Sequence, residues 1–398
     1  MRLEEKKNRR FFAEKIYMCC FVIWSVLNMI FTYSTLSQKL GLPLSTYVLY
    51  VDLLVIVLLF VKILIGNVVY TQKQLIISVL LIITGLLVYF ATGSRSMFML
   101  VLFIISSKDI SIDRVLLLLF KVELITVGLI IILSLLNVIP NKVSLGTYTV
   151  EQRYCLGFLH PNQCGFALIN IVLLDFYLHR KRLVWYDFAL LLVALFVDYR
   201  WPKSKTTYYV LIFAFVACLF LKVSSYSVKR LFIRLLRFIP FAIIAFTIVI
   251  VVLYNNNSAF SSTVNELFTQ RISQMSYYLG KYFPKLFGQH MEIVSSSQAN
   301  SISEMHALDN AYLNCLLEYG IVITSFFIIG YVNLLKQSII VKDYNKLVLL
   351  ITILIWGFSE TAMIKLECNS LLILFAGCLY GESETKKGTG LVYDKCQA

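Results

Sequence analysis

The chain has 398 residues, of which 59% are hydrophobic and only 15% charged, with a mean hydropathy of +0.79. This excludes an ordinary soluble domain, in which about a quarter of the residues are charged. The net charge of +14 sits largely on Lys and Arg in short segments between apolar runs, which reads as a topology signal and argues against nucleic acid as the partner.

The first apolar run, 16–36, is too long for the core of a cleavable signal and lacks a small-residue cleavage site, so it is expected to persist as a spanning helix. Further helices are expected at 44–65, 74–91, 96–106, 115–138, 163–178, 183–198, 207–223, 238–254, 311–334, 347–363 and 366–381. The fold class is therefore all-α, a polytopic membrane protein of about 12 transmembrane helices. With both termini in the cytoplasm, 25 of the 36 Lys and Arg lie inside and 11 outside, the asymmetry expected because cations resist translocation. The inside set includes Arg9, Arg10, Lys15, Arg180, Lys181, Arg182, Lys229, Arg230 and Arg234. His179, beside Arg180, reads as a solvated cytoplasmic residue.

One membrane domain, 1–398, is expected, with 255–310 as a large extracytoplasmic loop between the ninth and tenth helices. That loop is too short and serine-rich to hold much core of its own. Within it Phe268, Ile272, Met275, Leu279 and Tyr282 recur near the helical period, and Pro284 and Gly288 would stop a helix there. A short amphipathic helix lying on the outer membrane surface is expected, the alternative being a loop segment packed on the bundle.

The nine cysteines lie mostly in or beside apolar runs with no Cys-x-x-Cys pair, and read as small hydrophobes. Ionisable residues gather at the outer edge rather than at the midplane and no internal repeat is evident, which weighs against a transporter. Arg95, Lys142, Arg153, Arg200, Lys203, Lys205, Arg271, Lys281 and Lys285 fall outside against the general bias. Snorkelling explains any one of them; together they point to an external anion site.

Four segments resemble the bacterial O-antigen polymerase and O-antigen ligase superfamily. Arg153 through Gly165 is similar to its signature of an arginine followed by Gly-Phe-x-His-Pro-Asn, here Gly157 to Asn162. Ser94, Arg95 and Ser96, and again Lys203 through Thr206, resemble an S-R-[ST] element that opens a helix, with Lys205 in the arginine position. Asp309 and Asn310, with Gly320 following, resemble the pattern that ends the large outer loop. Ligases commonly carry histidine where Asp309 stands, so the resemblance leans toward polymerase.

The resemblance implies a GT-C-like glycosyltransferase of the bacterial plasma membrane. It would transfer a glycan from a polyprenyl-pyrophosphate donor to a sugar hydroxyl of a second lipid-linked unit on the outer face. The alternatives are the related ligase, and a lipid-linked oligosaccharide flippase or other transporter. Implied partners are that lipid-linked donor, the bilayer, and other capsule or O-antigen assembly proteins, with no nucleic acid. A pyrophosphate leaving group needs cationic charge more than a strong acid, and arginine grips phosphate with two bonds. Arg95, Arg153, Lys205 and Arg271 are the expected pyrophosphate ligands, with His160, Asn162 and Asn310 as further binding residues. Asp309 and His306 are the expected catalytic groups, and His160 a third candidate, because the acceptor hydroxyl must lose a proton. Asp309 reads equally as an N-cap, and His160 to Asn162 as a helix start. The outward carboxylates Glu151, Asp198, Glu266, Glu292, Glu304 and Asp309 are scattered, so no metal site and no cofactor is expected.

Overall fold

The computed structural model describes residues 2–39, 44–66, 68–145, 151–293 and 307–381. Helix α1 (Arg2–Asn28) runs on through a π-helical turn (Met29–Tyr33) and is followed by α2 (Leu36–Lys39), α3 (Leu44–Ile65), α4 (Gln72–Thr92), α5 (Ser96–Ser106) and α6 (Ile112–Leu135). An antiparallel pair of short strands, β1 (Val143–Leu145) and β2 (Gln152–Tyr154), sets Ser144 opposite Arg153. Next come α7 (Pro161–Leu178), α8 (Trp185–Arg200), α9 (Lys205–Val223), α10 (Tyr226–Leu236) and α11 (Ile239–Asn255). The long interval contains α12 (Ala259–Leu267) and α13 (Arg271–Lys281). Finally α14 (Ala311–Asn314) passes through a second π turn (Cys315–Tyr319) into α15 (Gly320–Ile340), then α16 (Tyr344–Ser359) and α17 (Ala376–Tyr380).

Among the described residues, seven helical stretches are long and apolar enough to cross a membrane: 8–33, 46–65, 72–92, 112–135, 205–223, 226–255 and 311–340. On α4, Leu75, Ile76, Val79, Leu80, Ile83, Leu87 and Phe90 are all exposed, a continuous apolar face suited to lipid and not to water. The chain is an all-α membrane protein. The face that carries α12 and α13 is called here the long-loop face; α1 begins at the opposite one.

The expected helices at 44–65 and 96–106 match α3 and α5. The expected last helix, 366–381, forms only as the shorter stretch Ser370–Tyr380, whose first half is 3₁₀. Two 3₁₀ turns, Thr361–Ile364 and Ser370–Phe375, precede the five-residue α17. Asn369 is fully buried and donates to Met363 O at 2.7 Å, while Ser370 N donates to Asn170 Oδ1 at 3.0 Å. One side chain of the broken segment itself, Asn369, and one of α7, Asn170, thus satisfy backbone that the helix ladder leaves unpaired, which permits broken helix inside a bundle. The basic run Lys229, Arg230 and Arg234 lies on a helix of its own, α10, which buries Ile233 and Leu236 and exposes Leu231 and Leu235.

The amphipathic helix expected in the long interval is α13, and its apolar face packs on protein. Ile272, Met275 and Tyr278 are buried with Ile250 and Val251 of α11, Val264 of α12, Leu317 and Phe358. Lipid does not receive that face because the π turn and α11 already cover it. The interval closes on α15 through two glycines. Gly288 and Gly320 have φ of 80° and 88°, and a Cβ on Gly320 would lie 2.3 Å from Gly288 N. Only glycine permits this conformation and this approach. Gln289 N then bonds Glu318 O at 2.9 Å and Ile321 N bonds Lys285 O at 3.0 Å.

One expectation about charge is corrected. Glu123 lies midway along α6, 1% exposed, and accepts from Ser25 Oγ (3.0 Å), Asn170 Nδ2 (2.5 Å) and Ser370 Oγ (3.0 Å). An ionisable group does occur deep in the bundle, made tolerable by three donors from three other segments.

Candidate functional site

The segment from Arg153 to Asn162 folds as a bent connection between strand and helix. Leu156 and Gly157 have φ of 49° and 84°, and a Cβ on Gly157 would meet Ile130 O at 2.9 Å. The turn buries Leu156 and Phe158 and presents Arg153 on β2 beside the first turn of α7. His160 is the N-cap of α7 and Pro161 its first residue, a position that suits proline because the missing N–H has no helical partner there. His160 Nδ1 accepts from Asn162 N at 3.2 Å, and Gln163 Oε1 accepts from His160 N at 3.2 Å.

From this frame a chain of polar contacts crosses the long-loop face. Arg153 donates to Pro202 O (2.9 Å) and to Asn162 Oδ1 (2.6 Å). Asn162 Nδ2 donates to Glu360 Oε1 at 3.0 Å, and the same oxygen accepts from Arg271 at 2.8 Å. Arg271 Nε donates to Asp309 Oδ2 at 3.1 Å, with Thr206 Oγ1 at 3.4 Å from another of its nitrogens. The side chains of Arg271 and Glu360 are 11% and 6% exposed, whereas Asp309 is 34% exposed. Asp309 is therefore the open edge of the cluster.

The backbone around it is strained. Thr269 and Gln270, immediately before Arg271, have φ of 51° and 65°, a region that a β-branched residue avoids. Lys203, next to the Pro202 carbonyl that holds Arg153, has φ of 49°. Strained residues gather where structure has been shaped for something other than stability.

Arg153, Asn162, Arg271 and Asp309 are thus brought together. His160 stands at the root of the group as a helix cap. Burial, with the Arg153 guanidinium next, holds its imidazole at about 4 against the ordinary 6.5, and its Nδ1 is occupied as an acceptor. A neutral ring so placed has its proton on Nε2 and serves as a donor, not a base. Asn310 is structural: its Oδ1 accepts from Leu313 N at 2.9 Å and its Nδ2 donates to Phe358 O at 2.9 Å. Asn310, not Asp309, caps α14. Lys205 is exposed on the first turn of α9; the residue of that turn that reaches the cluster is Thr206. Arg95 belongs elsewhere, bound to Asp52 at 3.1 Å and Asn28 at 3.3 Å. His306 lies outside the described residues.

Glu360 is a member that no motif in the sequence singles out. It lies inside the expected helix 347–363, where apolar neighbours outweigh it in hydropathy. A carboxylate within such a run is itself a signal. On the opposite face a cavity of about 650 Å³ is lined by Asp113, Arg180, Lys229, Lys342 and Asp343, among others. Arg180 there is bound by Asp113 at 3.0 Å and Asp343 at 3.3 Å. Comparisons with protein-family models, curated proteins and solved structures return no match to this chain.

Proposed function

We propose that the chain is a GT-C-like polymerase of lipid-linked glycan repeat units, working at its long-loop face on a polyprenyl-pyrophosphate donor. The observation that carries the reading is the linked pair of guanidinium groups, Arg153 and Arg271, joined through Asn162 and Glu360. Two fixed cations a short bridge apart suit a diphosphate, whose charge grows as the glycosyl bond breaks. Arginine keeps its charge on burial and offers several donors in one plane. At rest Arg271 is balanced by Glu360 and Asp309. An arriving pyrophosphate displaces Asp309, the more exposed of the two, and frees that carboxylate to take the proton of the acceptor hydroxyl. Glu360 stays, held by Asn162.

The test is the glycan profile of a strain lacking the gene. A polymerase leaves single lipid-linked units and no long chains; a ligase leaves finished chains on the donor lipid. The transporter reading draws on buried Glu123 and on the cavity of the opposite face, and it predicts units trapped on the cytoplasmic leaflet.

A further inference from the structure

The end of the bundle opposite the long-loop face holds a cluster that this chemistry does not use. Asp175 lies in the last turn of α7, His179 is its C-cap, and Asp187 is in the first turn of α8. Spacing of four residues puts Asp175 and His179 on one side of the helix end, and the short turn brings Asp187 to them. His179 Nδ1 is 3.3 Å from Asp175 Oδ1 and 3.0 Å from Asp187 Oδ1. Asp175 and Asp187 are 2% and 0% exposed.

One ring nitrogen carries one proton at most, yet two buried carboxylates face it. Neither contact has hydrogen-bond geometry: His179 Nδ1, Asp187 Oδ1 and Asp175 Oδ2 are all buried without a hydrogen-bond partner. Buried charges left so are unfavourable unless something else completes them. The remaining atoms are already in use. Asp187 Oδ2 accepts from Val184 N at 2.7 Å, and His179 Nε2 lies 2.9 Å from Tyr186 Oη. With the proton on Nε2 and shared with that hydroxyl, the Nδ1 lone pair points at the carboxylates, the arrangement that metal-bound histidines adopt. The three ligand atoms lie within 4.8 Å of one another. Their edges of 3.0 and 3.3 Å match the edge of about 3.3 Å in a tetrahedron with bonds of about 2.0–2.1 Å.

We propose that Asp175, His179 and Asp187 bind one divalent transition-metal ion, zinc by the size of the tetrahedron, with a fourth position left to water on the partly exposed side of His179. An imidazole with two carboxylates suits zinc, whereas magnesium demands an octahedron of oxygens. The ion fastens α7 to α8 at the end of α7 remote from His160 and Asn162, and takes no part in the glycan chemistry proposed above. The His179 expected to be merely solvated is a ligand.

The experiment uses the full chain purified in detergent, stripped with EDTA, then equilibrated with Zn²⁺ and desalted before the metal is counted. One zinc per chain is expected, with a higher unfolding temperature that EDTA reverses. His179→Gln and Asp175→Asn should each weaken binding at least tenfold and remove the temperature shift. Because the chain has nine cysteines, Co²⁺ identifies the ligands without any mutation. Weak visible bands alone indicate nitrogen and oxygen ligands; intense thiolate charge-transfer bands would place the ion on cysteine and overturn the proposal. A monodisperse wild-type chain that holds no zinc after desalting overturns it too.

Discussion

Arg271 donates to Glu360 and Asp309 from one buried guanidinium, so the substitutions around it have separable effects. Glu360→Ala removes the more buried partner and leaves Arg271 and Asn162 short of an acceptor; a loss of about 3–5 kcal/mol is expected, read as a lower unfolding temperature in detergent. Asp309→Asn leaves the cap of α14 intact, because Asn310 supplies it. If Asp309 takes the acceptor proton, polymer formation falls by about 10²–10⁴-fold with a smaller drop in unfolding temperature than Glu360→Ala gives, since Asp309 is the more exposed partner of Arg271; unaltered polymer formation would remove it from the reaction. His160 gives the pH dependence. Its folded imidazole takes up a proton only near pH 4, against 6.5 for the ordinary side chain. Its contribution to stability is therefore complete above pH 6.5 and is lost as the pH falls toward 4. His160→Asn keeps a good N-cap and should flatten that part of the curve of unfolding temperature against pH. The residue types at the site were legible where a motif held them, as with Arg153 and Asn162. Glu360 was not, because its meaning comes from two partners far away in sequence.

Elements built from uninterrupted apolar runs were legible, since crossing a bilayer leaves few alternatives to a helix; α3 and α5 are examples. The region 360–375 was not. Glu360, Lys365, Glu367 and Asn369 are each outnumbered by apolar neighbours, and only the bonds of Asn369 to Met363 O and of Ser370 to Asn170 show why the helix gives way. The period of α13 was plain, but nothing in it told lipid from protein as the cover for Ile272 and Met275. The closure of the long interval on α15 is a test of the packing. Gly320→Ala puts a Cβ into Gly288 N in an extended, positive-φ backbone region that is essentially glycine-only and costs other residues about 1–3 kcal/mol, and the close contact adds to it. Thermal unfolding should shift down by more than for Gly128→Ala, where a Cβ meets nothing within 4 Å. Equal shifts would mean that the two glycines do not need to touch.

At the scale of the molecule, the polar chain from Arg153 to Asp309 draws on β2, α7, α13, the start of α14 and the end of α16, so it exists only in the assembled bundle. If the basic residues set the orientation, 25 against 11 in the twelve-helix reading of the sequence, this face is the outer one. Single cysteines placed in α12 or α13, with exposed native cysteines removed, should react with an impermeant thiol reagent in intact cells; labelling only after lysis would reverse the topology. The most direct measurement of the whole account is made in vesicles, with the purified chain and a polyprenyl-pyrophosphate-linked repeat unit as the sole glycan. The wild-type chain is predicted to release polyprenyl pyrophosphate and build a ladder of longer glycans, while Arg153→Ala and Arg271→Ala, present in equal amount, build none. A ladder of unchanged length and rate from both variants, or no ladder from the wild-type chain, would contradict it.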